Sequence, residues 1–355
     1  MDNQQEEDPY LSIVAVSRND NHGGRLTYRM QKFIDGFVAQ CKRHQVHAEL
    51  ILVEWNPPED RPFLDKVLKY PKDLGPASIR IIQVPPELHH KYDHSKNLPL
   101  FQMIGKNVGI RRAKGKFILA TNIDILFSDP LFKFFKEKKL KEGIIYRCDR
   151  LDIPAILPET ENFDEILKFC KKKYFLINRR AQSIPRRWIP LPLLIPILIP
   201  FGALKYFLGT PLSNPLRRKL YRIHSNACGD FTLLSKNDWE RLRGYVEWPM
   251  YSFHIDSILM YQGILGNLKQ KNFGSKKPIY HIAHQIGSGY TPEGVSLLFE
   301  RLDKGGVPYL SDEKLLQIAE KAYKEGKTRK KILQFQEEDW GLIDHPLPEL
   351  TITPC

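Results

Sequence analysis

Apolar runs and polar breaks alternate along the first 130 residues with two distinct periods. Leu11-Ser12-Ile13-Val14-Ala15-Val16 is a nearly continuous apolar run ending in Ser17-Arg18-Asn19-Asp20, the pattern of a buried strand followed by a polar loop. From Leu26 to Cys41 the apolar positions Met30, Phe33, Ile34, Phe37 and Val38 recur at helical spacing. Glu49 to Glu54 reads as a second strand closed by Trp55-Asn56-Pro57-Pro58, and Ile79 to Val84 as a third closed by Pro85-Pro86. Leu100 to Ala113 predicts a helix that Lys114-Gly115 stops, and Lys116 to Thr121 a fourth strand. Such alternation predicts an α/β fold with a doubly wound, mostly parallel sheet and flanking helices, its ligand lying at the C-terminal ends of the strands.

Past residue 130 the rhythm breaks. Phe132 to Lys141 reads as a basic amphipathic helix and Gly143 to Arg147 as a short strand, and a basic, proline-punctuated insert follows up to residue 223. A second ordered block opens at His224 and runs to about residue 300. Residues 301–355 carry a charged helix over Ser311 to Lys331 and a Pro-rich tail. The polar, acidic residues 1–9 are expected to be disordered, and no internal repeat is present.

Charge changes this picture in one place. The formal net charge is +13, and Lys171 to Arg222 holds twelve Lys or Arg with no Asp or Glu, so one stretch carries almost the whole excess. A basic chain first suggests nucleic acid. This basic stretch, however, encloses Trp188-Ile189-Pro190-Leu191-Pro192-Leu193-Leu194-Ile195-Pro196 and its apolar continuation to Leu208, which suits lipid better than phosphodiesters. Four prolines argue against a regular spanning helix, although ~20 apolar residues would be long enough. The flanks Arg186-Arg187-Trp188 and Arg217-Arg218-Lys219 suit a membrane interface. The alternative is a buried, Pro-rich lid over a cleft. Five widely spaced cysteines without a CxxC point to a reducing compartment, and the N-terminus lacks the features of a secretory signal. The expected location is therefore cytoplasmic, peripheral on the inner face of a membrane.

The candidate chemistry lies in Thr121-Asn122-Ile123-Asp124-Ile125 and His254-Ile255-Asp256, with Cys228-Gly229-Asp230-Phe231 between them. Asp124 stands at the end of the buried run Phe117-Ile118-Leu119-Ala120. One carboxylate so placed can hold a metal on a diphosphate, and a second can take a proton from an attacking hydroxyl. Each also has an ordinary use, Asp124 in an Asx turn and Asp256 as the N-cap of a helix. Asn107-Val108-Gly109-Ile110-Arg111-Arg112-Ala113-Lys114-Gly115, leading into the strand that ends at Asn122 and Asp124, resembles the GT-A glycosyltransferases, particularly family-2 inverting enzymes. The likeness covers residues 10–130 well and residues 224–290 more loosely.

That resemblance implies a nucleotide-sugar-binding half over 10–130 and an acceptor and catalytic half over 224–300. It implies Asp124 as ligand to Mn²⁺ or Mg²⁺, with Asn122 replacing the first acid of the DxD motif and His284 of Ile279-Tyr280-His281-Ile282-Ala283-His284 completing the shell. Ser17, Arg18, Asn19, Glu54, Asn107, Arg111 and Asn122 fall on the donor side, and Gly229 and Asp230 on the acceptor side. Asp256 falls at the general base. Gly287-Ser288-Gly289 would form a loop over the diphosphate. The implied partners are a nucleotide-sugar donor and a carbohydrate or lipid-linked acceptor at a membrane surface, with no nucleic acid. The alternatives are a nucleotidyltransferase with a similar sheet and a non-catalytic membrane-surface binding protein.

Overall fold

The computed structural model of the chain describes residues 8–180, 182–186, 216, 219–220, 222–284, 294–329 and 331–352. Most of the N-terminal segment 1–9, the apolar run Trp188 to Leu208 and Gly287-Ser288-Gly289 lie outside the described residues. Among the described residues no helix is long and apolar enough to cross a membrane.

The architecture is mixed α/β, built on a large, mostly parallel sheet with flanking helices. Its centre is the alternation read from the sequence: β1 (Leu11–Ser17), β2 (Ala48–Trp55), β3 (Ala77–Val84) and β4 (Phe117–Ala120) pair in parallel, in the order β4-β1-β2-β3. β1, β2 and β4 are buried along their whole length, which explains their unbroken apolar runs. Helix α1 (Leu26–His44) covers one face with Met30, Phe33, Ile34 and Phe37. Helix α2 (Gln102–Arg112) covers the other, and its glycines set the distance: a Cβ at Gly105 or Gly109 would lie 2.5 Å from a Val16 or Val14 methyl.

The rest of the topology departs from a simple doubly wound sheet. The large sheet has eight strands. Beyond β4 it continues through β10 (Thr232–Ser235), β6 (Ile144–Arg147) and β11 (Lys269–Asn272), with β10 antiparallel to both β4 and β6. At the other edge β13 (Glu349–Ile352), within the expected Pro-rich tail, pairs antiparallel with β3. The basic helix α3 covers Asp129–Lys136, starting earlier than its apolar spacing suggested because Pro130 suits a first helical turn.

A second sheet of five strands has the order β5-β12-β7-β8-β9, from β5 (Ile125–Phe127), β7 (Arg150–Ile153), β8 (Leu176–Arg179), β9 (Gln182–Pro185) and β12 (Ile279–Ile282). It draws its strands from all along the chain, and helix α4 (Phe163–Lys173) packs on it through Ile166 and Cys170. The link between β4 and β5, residues 121–124, therefore steps from one sheet to the other. Helix α5 (Lys236–Leu242) and helix α6 (Ile255–Leu265) pack on the α2 side of the large sheet. Helices α7 (Val295–Lys304) and α8 (Asp312–Lys324) complete the second half.

Candidate metal centre and cleft

Asp124 closes the step between the two sheets. Its backbone carbonyl accepts from Ile282 N at 2.9 Å, which ties it to β12, and β12 brings two histidines with it. Nε2 of His281 lies 3.7 Å and Nε2 of His284 3.6 Å from Asp124 Oδ2. One donor atom from each of the three residues falls within 4.8 Å of the other two. His281 lies inside β12 and His284 just past its end.

The tautomer of His281 follows from its other nitrogen. Nδ1 stands 3.1 Å from Asp152 Oδ1. Burial alone would raise the Asp152 carboxyl, but Arg150 and His281 outweigh it and hold it at about 2. An ionised Asp152 can only accept, so Nδ1 carries a proton. Against burial and Arg150, Asp124 and Asp152 together pull the ring's pKa up, and Nε2 becomes a metal ligand once its own proton has left. Burial also pushes the Asp124 carboxyl up, and His281, His284, Arg29 and Arg150 together hold it below the usual carboxylate range. Asp124 Oδ1 is buried and has no hydrogen-bond partner among the described residues. A carboxylate with one orphaned oxygen and two imidazoles near the other, one of them oriented by a second carboxylate, form a donor set that suits a divalent transition-metal ion such as Mn²⁺ better than Mg²⁺, which prefers oxygen ligands.

The side chain of Asn122 is taken up by protein partners. Its Oδ1 accepts from Lys106 Nζ at 2.8 Å and Gln102 Nε2 at 2.9 Å, and its Nδ2 donates to Asp230 Oδ1 at 2.5 Å. Both polar atoms of its side chain are engaged with protein. Asp230 Oδ2 is held by Arg150 Nη1 at 2.6 Å, so both oxygens of that acid are also engaged. Lys106 is fully buried and donates as well to the Gly229 carbonyl at 2.7 Å. Burial pushes its ammonium down to about 8, against the pull of Asp230, Asp256 and Asp124. A network of buried charges thus runs from α2 through the 121–124 link and the Cys228–Asp230 turn to β7.

These groups open into one cleft of ≈ 2090 Å³ whose walls include Ser17, Arg18, Asn122, Asp124, Asp230 and Asp256. Gly229, His281 and His284 also line it. Asp256 is the second residue of α6, not its N-cap; the cap is His254 in left-handed backbone at φ 64°. The Asp256 carboxylate fills the space a side chain at 229 would need, since a Cβ there would lie 3.1 Å from its Oδ2. The far wall is aromatic, with Phe299 stacked on Tyr309 at 4.5 Å between ring centroids.

Four of the expected donor-side residues sit elsewhere. Glu54 is sealed under the 56–64 loop, where its carboxylate accepts from Leu64 N at 2.8 Å and Gln83 Nε2 at 3.1 Å. Asn19 holds the same loop through Pro62 O at 2.9 Å. Asn107 is buried and clasps Tyr245: its Nδ2 donates to Tyr245 O at 2.7 Å, and its Oδ1 accepts from Tyr245 N at 2.8 Å. Arg111 lies over the Trp340 ring, 4.9 Å from its centroid. None of the four lines the cleft. Conversely, Arg29, Lys106, Arg150 and Asp152 were absent from the expected site. The alternation Arg150-Leu151-Asp152-Ile153 carries the one local signal, since i and i+2 on a strand share a face.

No protein-family model matches the chain, and no curated protein matches it. Among solved structures, it is similar to the crystal structure of GalNAc-T7 with UDP, GalNAc and Mn²⁺, at 12% identity and a TM-score of 0.43, over 94% of this chain and 53% of that one. The chain thus spans about half the length of that protein.

Proposed function

We propose that the chain is a glycosyltransferase of the GT-A type, moving a sugar from a nucleotide-sugar donor to a hydroxyl of a carbohydrate or lipid-linked acceptor with inversion. The observation that carries this reading is the convergence of the Asp124–His281–His284 donors and the Asp256 carboxylate in one cleft at the ends of parallel strands. Family-2 kinship, a site of action on the inner face of a membrane and the division into donor and acceptor halves belong to the same proposal.

A divalent ion held there would supply positive charge to offset that building on the departing diphosphate. Asp124, His281 and His284 would hold it, and Asp152 would keep His281 in the ligating tautomer. Ser17 and Arg18, at the end of β1, line the donor side of the cleft. Asp256 accepts the acceptor's hydroxyl proton as the oxygen bonds to the anomeric carbon, and the electron pair of the breaking C–O bond leaves with the diphosphate. Asp230, locked by Asn122 and Arg150, supports the Cys228–Asp230 turn beside Asp256.

Release of nucleoside diphosphate from a panel of nucleotide sugars, with Mn²⁺ and membrane extract as acceptor, tests the reading. Asp256→Asn should lower turnover by about a hundredfold or more. Calorimetric affinity for UDP with Mn²⁺ should stay near that of the unmodified chain. Equal loss of both would contradict the role of base. If the unmodified chain binds no nucleotide, a non-catalytic surface protein becomes the better reading.

A further inference from the structure

Arg29 is a charged side chain only 3% exposed, and it ends on the metal centre. Its Nη1 donates to Asp124 Oδ2 at 2.8 Å, the same oxygen that both histidines face. Its Nε and Nη2 donate to Gly24 O at 3.3 and 3.2 Å, and Nη2 also to His22 O. The guanidinium is therefore pinned between α1 and the loop before it, and cannot swing away without leaving a buried cation unpaired.

This fixes the charge of the centre. Among the three donors, Asp124 alone brings a negative charge, and Arg29 already offsets it. The neighbouring acids Asp152 and Asp230 are themselves shared by Arg150. An arriving cation meets two imidazoles, which bring no negative charge, and a compensated carboxylate, and affinity of such centres follows the charge of their ligands. A diphosphate would supply the missing negative charge and further oxygens.

We propose that Arg29 makes cation binding at Asp124–His281–His284 depend on a nucleoside diphosphate: loose without it, firm with it. The proposal rests on the metal-assisted reading above and adds a residue that sets the order of binding. Arg29 is a positioning and charge-setting residue, not a catalytic one.

Equilibrium dialysis of the full chain against Mn²⁺ at matched free concentration, with and without UDP, tests it. UDP should tighten Mn²⁺ retention by about tenfold or more in the unmodified chain. Arg29→Gln should bind Mn²⁺ about tenfold more tightly without UDP and respond less to it, whereas Arg29→Lys should behave as the parent. Unchanged or weaker UDP-free binding in Arg29→Gln overturns the proposal. Should that variant fail to melt cooperatively, the unmodified chain decides, because equal retention with and without UDP overturns the proposal too. Tight, UDP-independent Mn²⁺ binding sinks this inference and leaves the transferase reading standing. No Mn²⁺ retention under any condition sinks both.

Discussion

Glu54 shows what a strand-end carboxyl becomes when a loop closes over it. The family resemblance implied a group on the donor side, yet the 56–64 loop covers it and burial raises its pKa from 4.5 to about 7. Between those values the folded chain holds a proton that the unfolded chain has released. Stability therefore falls as pH rises from about 4.5 to about 7 and stays at the lower level above that. Glutamine cannot ionise, so Glu54→Gln should match the parent in thermal melts near the acid end of this window and melt increasingly higher toward its alkaline end. A constant difference across the window would mean Glu54 keeps its charge. Asn107 teaches a related lesson. The sequence marks it as special, but its partner Tyr245 stands far along the chain, and no local pattern reveals a clasp across that separation. Residue types at strand ends were legible; which of them face water and which face protein was not.

At the scale of elements, legibility follows strand length. The strands of seven and eight residues, and α1 with its regular apolar face, were readable because many positions agree on one period. The second sheet was mostly not, since its strands have three or four residues, and β7 and β8 mix charges with apolar positions. Pairing gives those strands their meaning. In the parallel register of β7 and β12, Asp152 stands opposite His281, so one slip would remove the carboxylate from the ring it orients. Asp152→Asn keeps the shape but loses the charge that fixes the proton on Nδ1. Retention of Mn²⁺ in the presence of UDP should fall by about tenfold or more, toward the hundredfold seen for such supporting groups. The far-ultraviolet spectrum should be unchanged. Undiminished retention would show that His281 finds its tautomer without this acid.

For the molecule as a whole, the C-terminal segment joins what the chain order separates. Arg112, at the end of α2, donates to the carbonyls of Gly341 at 2.6 Å, Leu342 at 2.5 Å and His345 at 3.1 Å. Gly341 N in turn donates to Glu247 Oε1 at 2.9 Å, and that same oxygen accepts from Asn107 Nδ2 at 2.8 Å. The turn thus braces the helix behind Asn122 against the segment that leads to Asp256. Beyond it, β13 covers the edge that β3 would otherwise expose, and Glu349 grips Arg80 in a bidentate pair at 2.6 and 3.0 Å. Arg80 is 7% exposed and keeps Glu49 as a second partner, so losing Glu349 leaves it partly satisfied. Because Glu349 itself is about a third exposed, its removal should cost about 1–2 kcal/mol rather than the larger figure of a sealed pair. Ending the chain after His345 removes the pair and the strand but spares the Arg112 anchors. The shortened chain should melt a few degrees lower, and its uncovered β3 edge should promote self-association visible by light scattering. Glu349→Ala, which keeps the strand, should reproduce the lower melting temperature without the scattering. Scattering from both variants alike would place the protection in the ion pair instead of in the covering strand.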